Sequence, residues 1–286
     1  MSLLRLDEAS TAALRSAGQT GQPYDVTHQL RSHELLTLEA LADLAVSLPA
    51  DSIEHNIGAL PDVVADGKAP QLDLELRELI TGIETNGAWC VLKNIEQDPR
   101  YSALLDACLD EIEDLVSGPG QAYNREGFVF LSAPNSMTPS HIDPEHNVLL
   151  QVQGQKTMKT GAWESPEARA VEAERLLTGG HRNLKGDVAD PVDHVLEPGD
   201  GVYVPPYTQH KVVNGPALSI SLSVTWRSPA LADEAKVLRA NHLLRKVGVE
   251  PSAPGSKAGV SKAKAQAMTA AAKAKTTAKG VLKRGK

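Results

Sequence analysis

The chain has 286 residues, 41% hydrophobic and 3% aromatic, and its 36 acids against 29 bases give a net charge of −7. That is enough apolar material for one catalytic domain with appendages, its core built from Leu, Val, Ile and Ala. Two cysteines without a C-x-x-C, Cys90 and Cys108, and an opening Met1-Ser2-Leu3-Leu4-Arg5-Leu6-Asp7 with an early acid argue against a disulfide framework, a signal peptide and a membrane span. A reduced, cytoplasmic protein is expected.

Residues 1–30 are polar, carry Gly and Pro, and are expected to be flexible. Residues 31–118 read as a helical region packed on a core. Leu35 to Leu48 has apolar residues at helical spacing and stops before Pro49; Leu72 to Asn86 and Tyr101 to Ser117 repeat the pattern, the last ending at Gly118-Pro119. Trp89-Cys90-Val91-Leu92 and Gly127-Phe128-Val129-Phe130-Leu131 are short apolar strands expected to join the sheet.

Residues 119–228 carry the strand signals of a β core. Thr138-Pro139-Ser140-His141-Ile142-Asp143 leads into a strand from Asn147, a tight turn at Gly154 and a returning strand that brings Lys156 back beside it. The segment 164–193 is charged and Gly-rich, and helix-like from Glu164 to Arg175. Leu196-Glu197-Pro198-Gly199-Asp200-Gly201 is a turn, and the strand through Val202-Tyr203-Val204 must end at Pro205-Pro206, which lack two ladder donors. Tyr207-Thr208-Gln209-His210 follows. Ala217 to Trp226 alternates apolar and small polar residues, the mark of a half-buried strand.

Residues 229–248 read as a C-terminal helix whose Leu238, Leu243 and Leu244 offer an apolar face, for a homodimer or for covering the core. Residues 249–286 read as a disordered Lys/Ala-rich tail. From Ser256 onward it has nine cations and no acid, which leaves 20 bases against 36 acids in the rest of the chain, a net charge of −16. Such a tail, which resembles those of linker histones, suits nucleic acid or an acidic partner through counterion release; the alternative is a solubilising element that folds back on its own acidic domain.

The chemistry concentrates at His141-Ile142-Asp143 and His210, about seventy positions later. Two imidazoles and one carboxylate are the ligand set of a non-haem Fe(II) centre, which keeps three metal positions open. On a strand, residues i and i+2 share a face, so His141 and Asp143 can grip one ion while His210 arrives from another strand. The alternatives are ordinary: histidines at strand ends, and an Asp143 that opens a turn before Pro144. His146 has the wrong parity for the metal face and reads as outward. By the same alternation Lys156 and Lys159 lie on opposite faces.

Taken together, Thr138, His141, Asp143, Asn147 six positions after the first ligand, Lys156 fifteen after it, and the Gly199 to Pro205 segment before His210 resemble the JmjC-type, cupin-like Fe(II)- and 2-oxoglutarate-dependent oxygenases. The resemblance is to the branch that includes the asparaginyl hydroxylase of hypoxia-inducible factor, and it spans roughly residues 119–228, with weaker similarity to bacterial cupin-like proteins labelled jumonji. It implies a mainly β fold with helical additions: a double-stranded β-helix, or jelly-roll, core with an N-terminal helical region. It further implies Fe(II) held by His141, Asp143 and His210, and 2-oxoglutarate held through its far carboxylate by Lys156 and Thr138, with Asn147 lining the pocket and O2 as co-substrate. Arg227 is the substitute cation if Lys156 points away.

The expected function is therefore an Fe(II)/2-oxoglutarate-dependent dioxygenase that hydroxylates a protein side chain or a small molecule. Two alternatives stand beside it. One is a cupin metalloenzyme that does not use 2-oxoglutarate, for which Lys156 has no purpose. The other is a cupin-type metal- or metabolite-binding regulator whose basic tail contacts nucleic acid.

Overall fold

In a computed structural model the chain divides into two compact units, Met1–Ala162 with Asn183–Ser228, and Trp163–Arg182 with Pro229–Lys286. The structure describes residues 3–57 and 73–284, and the side chains of the last helix through residue 274. The first unit runs α1 (Glu8–Thr20), β1 (Tyr24–Thr27), α2 (Leu38–Ser47), β2 (Ile53–Ile57), α3 (Leu76–Thr81), α4 (Ile83–Asn86), β3 (Ala88–Lys93), α5 (Pro99–Leu109), α6 (Glu113–Ser117), β4 (Tyr123–Ser132), β5 (Met137–His141), β6 (His146–Gln153) and β7 (Lys156–Gly161). It resumes with β8 (Val192–Leu196), β9 (Asp200–Val204), β10 (Gln209–Asn214) and β11 (Ser219–Arg227). The second unit holds α7 (Pro166–Leu177), α8 (Pro229–Lys246) and α9 (Ala258–Arg284).

The strands form a seven-stranded sheet, β1-β9-β6-β11-β4-β3-β2, and a four-stranded sheet, β5-β10-β7-β8. The ladders among the described residues are antiparallel. Helices cover one face of the larger sheet. Leu14, Leu41, Leu79, Tyr101, Leu105 and Leu109 pack there against Val148, Leu150, Tyr203, Ile220, Leu222, Val224 and Trp226. The other face meets the smaller sheet over a short apolar layer of Leu149, Met158, Leu196, Val202, Val204 and Val212. This is the double-stranded β-helix with a helical layer.

The alternation on β11 has a different meaning from the expected half-buried strand. Ile220, Leu222, Val224 and Trp226 face the helices, and Ser219, Ser221, Ser223 and Thr225 are buried as well. Their side faces the smaller sheet, because the larger sheet is covered on both faces. The small polar residues thus line an interior, where water would have been the sequence-based expectation. His146 is displaced in the same way: it is not outward but buried, stacked on Trp226 at 5.2 Å and bonded through Nδ1 to the Tyr203 hydroxyl at 3.0 Å. Burial pushes its pKa down to about 4.

Of the segment expected to be flexible, the described residues 3–30 are ordered in the structure. The Asp7 side chain caps α1 by accepting from Ser10 N, Gly21 closes the helix with φ 66°, and Leu14 and Ala17 are buried. β1 then completes the edge of the larger sheet, Val26 opposite Gly201. This segment is ordered by partners far along the chain, which composition does not register. The helix expected over 72–86 begins outside the described residues and is two short helices parted at Gly82. The segment 164–193 also splits: α7 lies in the second unit, and 183–190 belongs to the first.

In the second unit the tail from residue 258 is a helix, α9, not a disordered strand of chain. Its alanines favour helix, and Lys264 Nζ donates to Asn241 Oδ1 of α8 at 2.6 Å. On α8 Leu238 is fully buried while Leu243 is 53% exposed. No helix among the described residues is long and apolar enough to cross a membrane.

The turn that returns Lys156 to the site depends on Gly154, where φ is +69° and a Cβ would lie 2.1 Å from Leu218 O. Gly154→Ala is expected to cost roughly 2–4 kcal/mol, through positive φ and backbone collision together. Urea denaturation of the variant beside the unaltered protein measures it.

Candidate metal centre

β5 and β10 are neighbours, and their register sets His141 directly opposite His210. The imidazole centroids lie 4.1 Å apart. Asp143 stands just beyond the end of β5, where its carbonyl accepts from Tyr207 N at 2.7 Å. Its Oδ2 is 3.5 Å from His141 Nε2 and 3.4 Å from His210 Nε2. Asp143 thus reaches the histidines from a turn, not from the shared strand face that simple alternation suggested.

The tautomers follow from the other ring nitrogens. His141 Nδ1 lies 2.7 Å from Pro139 O, and His210 Nδ1 lies 2.9 Å from Thr208 O. A carbonyl can only accept, so each Nδ1 carries the proton and each Nε2 presents its lone pair to the centre. Two imidazole lone pairs and a carboxylate oxygen converge, with ligand atoms all within 4.8 Å of one another. Such a donor set fits a divalent first-row metal ion, and the backbone carbonyls behind the rings are the outer partners that metal-binding histidines commonly have.

The rest of the predicted residues line the space between the sheets. On β10 His210, Val212 and Asn214 share one face, and on β7 their cross-strand neighbours are Thr160, Met158 and Lys156. Lys156 is therefore inward and 3% exposed, while Lys159 faces out and pairs with Asp193. The Lys156 ammonium donates to Ser221 Oγ of the larger sheet at 2.7 Å. Burial pushes its pKa down to about 7. A desolvated ammonium whose hydrogen-bond partner is one neutral hydroxyl has the charge and spare donors that a carboxylate would satisfy.

Thr138 lies three residues before His141, so plain alternation would put the two on opposite faces. A β-bulge prevents this. Between His210 and Val212 the register shifts, so that His141 faces His210 and Thr138 faces Val212. Thr138 is thereby half-buried on the inward row. Asn147 is also inward, its Oδ1 accepting from Ser223 Oγ at 2.6 Å. Arg227 is 44% exposed and ion-paired with Glu145. Burial, with the Asp143 carboxylate adding to it and Arg227 opposing, raises the Glu145 pKa to about 6.

Sequence reasoning missed several groups. Ser221 and Ser223, which hold Lys156 and Asn147, were legible as alternate positions of β11 once its second face was known to be covered. A chain of three polar groups was not legible at all: His194 Nε2 lies 3.0 Å from Thr160 Oγ1 and His194 Nδ1 lies 2.6 Å from Asp25 Oδ1, with the residues on three different strands.

Residues 112–233 match the JmjC domain family. Among solved structures, Escherichia coli YcfD is similar over 94% of this chain and 68% of its own length, at 18% identity and a TM-score of 0.50. A second structure, described as the Escherichia coli ribosomal oxygenase YcfD, has 17% identity, covers 94% of this chain and 67% of that one, and has a TM-score of 0.49. A third, of YcfD with cobalt and 2-oxoglutarate, has 16% identity over 87% of this chain and 62% of that one, with a TM-score of 0.46. At these identities the likeness concerns the fold. Among curated proteins none matches.

Proposed function

We propose, because residues 112–233 match the JmjC domain family, that the protein is an Fe(II)- and 2-oxoglutarate-dependent oxygenase that hydroxylates a side chain of another protein. His141, Asp143 and His210 hold the metal. Fe(II) bound there, with 2-oxoglutarate and O2, supplies the oxidative chemistry: decarboxylation of the co-substrate to succinate and delivery of one oxygen atom to a C–H bond. Lys156 binds the far carboxylate of 2-oxoglutarate, with Ser221 orienting its ammonium. Thr138, brought to the same face by the bulge, adds a hydroxyl donor. Asn147, held by Ser223, lines the chamber, and the apolar layer around Met158 keeps water out of it.

The observation that carries this reading is the buried Lys156 on the same inward strand face as the row opposite His210. A cupin metalloenzyme without a dicarboxylate co-substrate gives that ammonium nothing to do. A protein substrate is favoured by the resemblance to the asparaginyl hydroxylase branch, and a small-molecule substrate is the alternative outcome. A reducing, cytoplasmic setting belongs to the same reading and is supported by two free, buried cysteines.

The regulator reading depends on the tail. Lys262 and Lys273 line a groove with Asp233 and Glu234 of α8, which supports a tail folded on its own unit more than one offered to nucleic acid. Both readings meet in one experiment. The full-length protein and a chain ending at Pro254 are loaded with Fe(II) and assayed for substrate-free 2-oxoglutarate consumption, and binding to a DNA duplex and a single-stranded RNA is measured against salt. Equal consumption by both forms is expected, and no consumption by either sinks the oxygenase. Binding that is steep in salt and confined to the full-length form would restore the nucleic-acid role. Sedimentation of the two forms tests the homodimer through the exposed Leu243 side of α8, since both retain that helix.

A further inference from the structure

The bulge that brings Thr138 inward also weakens the ladder between β5 and β10 at the level of the two histidines, since residues 139 and 140 together oppose Lys211. Something else must hold the strands in register there. Alternation puts Ser140 and Lys211, the neighbours of His141 and His210, on the outer face of the smaller sheet. Both are buried, at 1% and 8% exposure, beneath the segment 183–190.

That segment is tied to three strands. Leu184 N donates to Ser140 O at 2.8 Å, and Asn183 forms a bridge to His141. Asp187 spans the gap: Oδ1 accepts from Ser140 Oγ at 2.8 Å and from its own neighbour Val188 N at 2.7 Å, and Oδ2 accepts from Lys211 Nζ at 2.6 Å. On β7, Gly161 leaves room for the segment, since a Cβ there would lie 2.5 Å from Val188 Cγ1 and 2.6 Å from Ala189 O. One carboxylate thus bridges the two strands that deliver the histidines, directly behind them.

We infer that residues 183–190 are a strap on the outer face of the smaller sheet, and that Asp187 is a positioning residue which holds His141 and His210 at metal-binding separation across the bulge. This rests on the reading of His141, Asp143 and His210 as metal ligands. Asp187 never touches the ion. It acts through the backbone positions of Ser140 and Lys211, so its loss should alter the coordination geometry as well as the stability of the sheet.

The test uses the full-length apoprotein titrated with Co(II), whose visible ligand-field absorption reports coordination geometry without any need for turnover. Asp187→Ala is expected to weaken Co(II) binding by up to about 10-fold, at or below the lower end of the penalty for losing a group bonded directly to a ligand, and to change the band shape. Asp187→Asn, which can keep the bonds to Ser140 and Val188, should lose less. Asp193→Ala is the control: it removes a Lys–Asp pair of the same length, 2.6 Å to Lys159, from the same sheet, and should leave Co(II) affinity and spectrum unchanged. If the unaltered protein takes up no Co(II), the metal centre itself is wrong. If it binds and Asp187→Ala binds with the same affinity and spectrum, the centre stands and the strap is overturned. Should Asp187→Ala fail to fold by circular dichroism, Ser140→Ala removes a single bond of the strap, and unchanged Co(II) binding there overturns the inference equally.

Discussion

Replacing His141 or His210 with alanine is expected to abolish stoichiometric Fe(II) binding while leaving the fold in place. In the proposed centre each imidazole would supply one of three protein ligand atoms, and each is set by a backbone carbonyl behind it, Pro139 O for His141 and Thr208 O for His210. Losing a ligand outright should exceed the roughly 10- to 100-fold penalty of losing an outer-shell partner. Anaerobic titration with Fe(II), followed by equilibrium dialysis and metal analysis, reads the result. Full occupancy in either variant would remove the metal centre. Neither histidine contributes to the apolar layers, so the melting temperature of the apoprotein should move little.

Lys156→Ala should weaken 2-oxoglutarate binding by about 2–4 kcal/mol, the scale for breaking a desolvated charge pair, with metal binding retained. Calorimetric titration of the Co(II)-loaded protein measures it. If affinity is unchanged in Lys156→Ala but falls in Arg227→Ala, the carboxylate belongs to the arginine. A pH dependence follows from the same burial. In the ligand-free protein the Lys156 pKa is pushed down to about 7, and an adjacent carboxylate must raise it, because the charged form gains a partner. Co-substrate affinity is then fully present below pH 7 and falls as pH rises above it, by up to about tenfold per unit until the bound-state pKa is reached. Lys156→Arg keeps its charge throughout. A flat profile in that variant, beside a falling one in the unaltered protein, would identify Lys156 as the titrating group.

The two effects are separable by position. His210 and Lys156 lie on inward rows of adjacent strands, with Lys156 opposite Asn214, four residues along β10 from His210. A metal defect and a co-substrate defect therefore need not accompany each other, and the Co(II) spectrum distinguishes them in a single sample.

Much of this site was legible in local spacing. Alternation set Lys156 and Lys159 on opposite faces, the turn signal at Gly154 gave the returning strand, and the missing donors of Pro205-Pro206 ended the strand through Val202-Tyr203-Val204. His141 and His210 were legible as a pair only by their chemical type, because contact across about seventy residues of chain leaves no periodic trace. Tertiary structure decided what covers each face. A strand's period of two tells which residues share a side, but whether that side meets water, helices or a second sheet depends on distant segments. For that reason the serines of β11 proved interior, His146 proved buried, and the segment around Tyr24–Thr27 proved ordered by pairing with β9. The bulge in β5 and the strap at Asp187 are of the same kind. Each exists through partners on other strands: the bulge carries Thr138 to the face of His141, and the strap bridges the weakened ladder behind the two histidines.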